Sequence, residues 1–133
     1  MENLTLNEYQ KRAMSTCMPS CENISYMLLN LVGEVGEFAS KIAKQIRKGN
    51  LTIGSDKYPN SLLHRIAMKR EVHDTINEEL KKEAGDILWQ LSGLSKVMGW
   101  DLQDVAQMNL DKLAARKAAG TIDGSGDGII RDK

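Results

Sequence analysis

The chain has 133 residues, 18 of them basic and 18 acidic, so its formal net charge is zero. That length suits one domain, 1–133, with a sizeable core, and 41% hydrophobic with 27% charged residues is the balance of a soluble globular protein. The neutral balance supplies no sequence-wide attraction to nucleic acid or to acidic membranes, no apolar run nears the roughly 20 residues that a membrane helix needs, and the opening MENLTLNEYQ lacks a signal pattern. Cys17 and Cys21, without an export signal, indicate reduced thiols in a cytoplasm and argue against a disulfide or zinc framework.

Few prolines and an abundance of Met, Leu, Ala, Glu and Lys indicate an all-α protein. Thr5-Leu6-Asn7-Glu8 has the form of a capping box, and Leu6, Tyr9, Ala13, Met14 and Cys17 follow at helical spacing until Pro19 breaks the pattern. A second helix is expected from about Glu22 to Lys48. Its apolar stripe runs through Ile24, Met27, Leu28, Leu31, Val32, Val35, Phe38, Ala39, Ile42, Ala43 and Ile46, with Gly49 as the stop. Residues 49–60 are turn-rich, and Asn60 is placed to cap a short helix carrying Leu62, Leu63, Ile66 and Ala67. Ile76, Leu80, Ala84, Ile87, Leu88, Leu91, Leu94 and Met98 define the next long helix, ending at Gly99. Asp101 and Asp104 resemble a cap for the last helix, which runs to about Ala118, and Trp100 is placed to staple onto Val105. Residues 119–133 form a Gly-rich tail expected to be mobile or ordered by ligand. Trp89 falls off the apolar stripe of its helix and is expected at a subunit contact. Wide apolar faces on a chain this short call for a homo-oligomer.

Glu34 and Glu37 stand three apart on the second helix, and Glu83 and Asp86 repeat that spacing on the next. Residues three apart on a helix are neighbours, so each pair presents its oxygens together, and Glu79 extends the second pair by one turn. Carboxylates gathered beside a core repel one another, and a hard divalent cation such as Mg²⁺ supplies the missing charge. The competing reading is a solvated acidic face, with Glu37 paired to Lys41. Gly33, Gly36 and Gly85 weigh against it, because a helical glycine costs about 1 kcal/mol relative to alanine and all three adjoin the acids, which suggests close approach of backbone or ligand. His64 and His73 lack the Glu-x-x-His spacing of a di-iron bundle and read as surface residues. Asn109, Lys112 and Arg116 occupy successive turns of one face of the last helix, a basic strip suited to free phosphates.

The segments LVGEVGEFASKI, EELKKEAGDILWQL and NLDKLAARKAAG followed by GSGD resemble the MazG-like family of all-α nucleoside triphosphate pyrophosphohydrolases, with its pattern E-x-x-E … E-x-x-D and a downstream Asn, Lys and Arg. The resemblance implies a four- to five-helix bundle of the all-α NTP pyrophosphatase type, assembled as a homodimer or homotetramer. It implies Mg²⁺, with Mn²⁺ as a substitute, held by Glu34, Glu37, Glu83 and Asp86. Glu37, with Glu34, would act on the attacking water, Lys112 and Arg116 would contact phosphates, and Asn109 would help hold the nucleotide. Forty-five residues separate Glu37 from Glu83, more than in compact members, so 49–75 reads as an insertion. The expected reaction converts a nucleoside triphosphate to a monophosphate and pyrophosphate. The rival expectation is a non-catalytic helical module that senses nucleotide or binds a partner.

Overall fold

The computed structural model describes residues 3–50 and 70–122, with side chains described from residue 74 onward in the second stretch. Four α-helices and no strand occur among them: α1 (Leu6–Met14), α2 (Ile24–Arg47), α3 (Arg70–Val97) and α4 (Leu102–Ala119), with a 3₁₀ turn at Pro19–Cys21. The expected short helix after Asn60, both histidine side chains, most of the 49–75 stretch and the tail beyond residue 122 lie outside the described residues. The last residues of that stretch, from Arg70, already belong to α3.

The local signals act as their chemistry dictates. The Thr5 hydroxyl accepts from the Glu8 N–H at 3.1 Å, and the Asn23 side chain accepts from the Tyr26 N–H at 2.8 Å, each satisfying a free donor at a helix start. Pro19 opens the 3₁₀ turn, where its missing N–H costs nothing. Gly49, Gly99 and Gly120 adopt φ of 71°, 76° and 70° just past α2, α3 and α4. In each case two backbone bonds close the helix end, as in Trp100 N–H to Ser95 C=O at 2.8 Å and Gly99 N–H to Lys96 C=O at 3.0 Å.

The principal packing is α2 against α3, with α1 laid on α3 and α4 resting on α1 and α3. Ile76 and Leu80 of α3 are buried against Phe38 and Ile42 of α2. Further along, the interior is narrow and partly polar: Ser92 and Ser95 are buried, and their hydroxyls donate back to the Leu88 and Leu91 carbonyls. Such small residues allow close approach. A Cβ added at Gly93 would stand 2.4 Å from the Met27 sulfur, so this glycine, and not those beside the acids, is where another helix comes nearest.

Two expectations are corrected here, the covered apolar stripe and the Asp101 cap, and Trp89 gains a partner within the chain. The α2 stripe is only half covered: Met27 is fully buried and Phe38 and Ile42 are half-buried, but Ile24, Leu28, Val32, Val35 and Ile46 are exposed, Val32 at 72%. On α3 likewise, Leu91, and Met98 just past its end, face outward while Gln90, Ser92 and Ser95 face the interior. Helical periodicity identifies an apolar face but not which part of it the same chain will cover. Trp89 serves an intrachain contact, its indole N–H donating to Ala13 C=O at 3.2 Å and Thr16 Oγ1 at 3.0 Å and so tying α3 to the end of α1. Asp101 precedes α4 without making a side-chain cap bond. Instead α1 caps α4: Gln10 Oε1 accepts the Leu102 N–H at 2.9 Å and Asn7 Oδ1 accepts the Gln103 N–H at 3.0 Å.

Gln10 also donates from Nε2 to Ser92 C=O at 3.3 Å and to Trp100 C=O at 3.0 Å, so one buried amide joins α1, α3 and α4. Replacing Gln10 by alanine strands those buried partners and should destabilise the protein by about 2–4 kcal/mol in urea denaturation. Asp101→Ala, which removes no cap bond, should stay within about 0.5 kcal/mol. The reverse order would contradict the cross-helix cap.

Candidate metal centre

The pairing of α2 with α3 decides which acids meet. One carboxylate oxygen each from Glu34, Glu83 and Asp86 lies within 4.8 Å of the others, the group of acidic side chains among the described residues that could hold a metal ion. Glu83 is buried at 9% exposure, Glu34 is half-buried and Asp86 is exposed, so the group opens from the helix interface to solvent. Glu37 is exposed and stands outside this group, although its charge is felt by Glu34. Glu79 is exposed at the same interface.

The electrostatics are those of crowded like charges. Burial, the largest cause, holds the Glu34 carboxyl above the usual carboxylate range, and Glu37, Asp86 and Glu83 push it further up; a hydrogen bond from Asn30 Nδ2 to Glu34 Oε1 at 3.2 Å works against them. Burial also raises the Tyr9 hydroxyl pKa, with Asp86 as the second cause, so α1 brings a phenol to the edge of the cluster.

One cation enters. Lys41 Nζ lies 3.1 Å from Glu83 Oε1, a bridge from α2 to α3. The hydrogen bond to Glu83, followed by its negative charge, raises the Lys41 pKa. Sequence spacing pairs Lys41 with Glu37 one turn away on the same helix; the packed helices turn it to Glu83 instead. The other oxygen of Glu83, Oε2, is buried without a hydrogen-bond partner among the described residues. A buried carboxylate oxygen in that condition carries its desolvation cost uncompensated, and a hard cation among the three acids relieves it. An all-oxygen carboxylate set suits Mg²⁺ or Mn²⁺ better than softer metals.

The glycines beside the acids have no close neighbour. A Cβ at Gly36 or Gly85 would meet nothing within 4 Å, and at Gly33 only Asn30 Oδ1 at 3.7 Å, so the described chain itself makes no close approach there. On α4, Asn109 and Lys112 are exposed and Arg116 is half-buried. Asn109 and Lys112 line an open groove of about 800 Å³ together with Trp100, Asp104, Val105 and Met108, and none of the four acids lines it. Sequence reasoning passed over Tyr9 and the role of Lys41, because both depend on how separate helices meet.

A family model of the MazG nucleotide pyrophosphohydrolase domain matches residues 22–120, which include every acid and every α4 residue named above. The chain is also similar to the Gene 37 protein of Mycobacterium phage L5, with 33% identity over 108 residues, covering 81% of this chain and 78% of that protein. No solved structure matches.

The raised Glu34 carboxyl has a consequence for stability. Between its ordinary value of 4.5 and its raised folded value, the folded state binds more protons than the unfolded one, so metal-free protein should lose stability as pH rises through that window. Glu34→Gln should remove this part of the slope in chelator-treated samples compared by thermal melting. An unchanged slope would show that Glu34 is not under that strain.

Proposed function

The chain belongs to the MazG nucleotide pyrophosphohydrolase domain family, and from that premise we propose that it hydrolyses a nucleoside triphosphate to the monophosphate and pyrophosphate with Mg²⁺, for which Mn²⁺ substitutes. The observation that carries this reading is the convergence of Glu34, Glu83 and Asp86, one of which, Glu83, keeps a buried oxygen without a partner among the described residues.

Glu34, Glu83 and Asp86 are the residues that would hold the ion. When bound, Mg²⁺ supplies charge neutralisation and Lewis acidity to the phosphates. Glu37, exposed and close enough for its charge to raise the Glu34 pKa, would orient a water and accept its proton, with Glu34 at the near edge of the site. Attack of that water oxygen on the α-phosphorus breaks the bond to the bridging oxygen, and pyrophosphate leaves with the electron pair. Lys112 and Arg116 stabilise the charge developing on the leaving pyrophosphate, and Asn109 holds the nucleotide.

The working unit in this reading is a homodimer or homotetramer. Its support is the uncovered apolar surface: Ile24, Leu28, Val32 and Val35 along α2, and Met108, Leu110 and Leu113 on α4, of which only Leu102 is buried. In this reading the α4 of a second copy would bring its Asn109, Lys112 and Arg116 toward the acidic cluster. Free Cys17 and Cys21 fit a reducing, cytoplasmic setting, and no helix among the described residues is long and apolar enough to cross a membrane.

A panel of ribo- and deoxyribonucleoside triphosphates, with products resolved by chromatography, tests the reaction: monophosphate and pyrophosphate should appear in equal amounts, only with divalent metal, and chelation should abolish both. Asp86→Ala and Glu83→Gln should each lower kcat by about 100-fold or more while leaving the helical circular dichroism intact. Release of orthophosphate, or activity that survives either substitution, would contradict the assignment.

A further inference from the structure

Glu83 uses its two oxygens unequally. Oε1 accepts from Lys41 Nζ at 3.1 Å, whereas Oε2 is buried and has no hydrogen-bond partner among the described residues. The terminal torsion of a glutamate has a broad, shallow preference, so packing alone does not decide which way its carboxylate plane faces. A fixed donor on one oxygen does decide it. Lys41 lies seven residues, about two turns, after Glu34 on α2 and so shares that residue's face of the helix, looking toward α3. Its side chain is 37% exposed, against 12% for that of Glu83, so the ammonium approaches from the rim while the carboxylate lies inside. The chemistry of the donor matters as well. A guanidinium engages both oxygens of a carboxylate side by side, whereas an ammonium is a point charge that can satisfy one and leave the other.

We propose that Lys41 is a positioning residue for the metal: by holding Glu83 Oε1 it sets the rotation of the carboxylate so that Oε2 is left for the ion. This rests on the reading that Glu34, Glu83 and Asp86 bind a divalent cation. Lys41 touches neither substrate nor ion in this scheme and acts through Glu83. The contact does a second service, since it holds α2 and α3 in the register that brings Glu34 to Asp86. A carboxylate ligand held from outside by a hydrogen-bond donor gives tighter metal binding than the same ligand left to rotate, and losing such a partner typically weakens affinity by about 10–100-fold.

The test is Mn²⁺ binding without nucleotide, read by electron paramagnetic resonance on full-length, chelator-stripped protein. Lys41→Met should raise the Mn²⁺ Kd about tenfold or more. Lys41→Gln, which keeps a neutral donor, should fall between it and the wild type, and decides the matter if the methionine variant does not fold. Lys96→Met serves as the control, because it breaks another ion pair of α3, Lys96 to Glu22 in the turn before α2 at 2.8 Å, far along α3 from the cluster; it should leave Kd unchanged. An unchanged Kd in the Lys41 variants overturns the proposal, and a tighter one overturns it by identifying Lys41 as a rival of the ion. Equal weakening by Lys96→Met overturns it by showing a general effect of lost stability. Wild-type protein that takes up no Mn²⁺ removes the metal reading itself, and the proposal with it.

Discussion

The pairing of α2 with α3 buries one carboxylate, Glu83, at the same level as Glu34 and Asp86, and the rest of the site follows from that constraint. An ionised group with 9% exposure must be neutralised, paired or bound to a cation. Lys41 meets half of the demand through Oε1, and among the described residues Oε2 stays unmet. The interface therefore stores electrostatic cost at the place where a divalent ion would repay it, and Glu34, already held above its ordinary range by burial and by its acidic neighbours, shares that cost.

Around this interface the described residues build little apolar interior of their own. The buried hydrophobic residues are Met14, Met27, Ile76, Leu80 and Leu102, and they are joined by Gln10, Gln90, Ser92 and Ser95. Where α1, α3 and α4 meet, order comes from hydrogen bonds that leave no ambiguity of register: Gln10 reaches three backbone groups, and Trp89 bonds back to the end of α1. Polar junctions of this kind specify an arrangement more than they stabilise it. Among the described residues much of the apolar surface faces outward along α2 and α4, and the proposed assembly of copies rests on that exposure.

Much of this was legible in the residues themselves. The capping side chain of Thr5, the break at Pro19 and the glycine stops at 49 and 99 are local devices, and local devices act wherever the backbone needs them. The i, i+3 spacing of the acids put Glu83 beside Asp86 for the same reason. What depends on two helices meeting was not legible. Lys41 turns to Glu83 across the interface and not to Glu37 along its own helix, and α4 takes its caps from Asn7 and Gln10 rather than from Asp101. Apolar periodicity cannot say which part of a stripe the same chain covers, so Val32 and Leu28 read as core but stand exposed. The glycines at 33, 36 and 85 suggest close approach of backbone or ligand; the described chain makes no such approach there, and it is Gly93, against Met27, that has a close neighbour.

The most direct measurement of the central claim is anomalous diffraction from crystals grown with Mn²⁺ and a non-hydrolysable triphosphate analogue. The account predicts Mn²⁺ density between α2 and α3, coordinated by Glu34, Glu83 through Oε2, and Asp86, with phosphate oxygens completing the shell. Crystals with the analogue bound elsewhere, no anomalous peak among these three carboxylates, and Glu83 Oε2 still without a partner would contradict it.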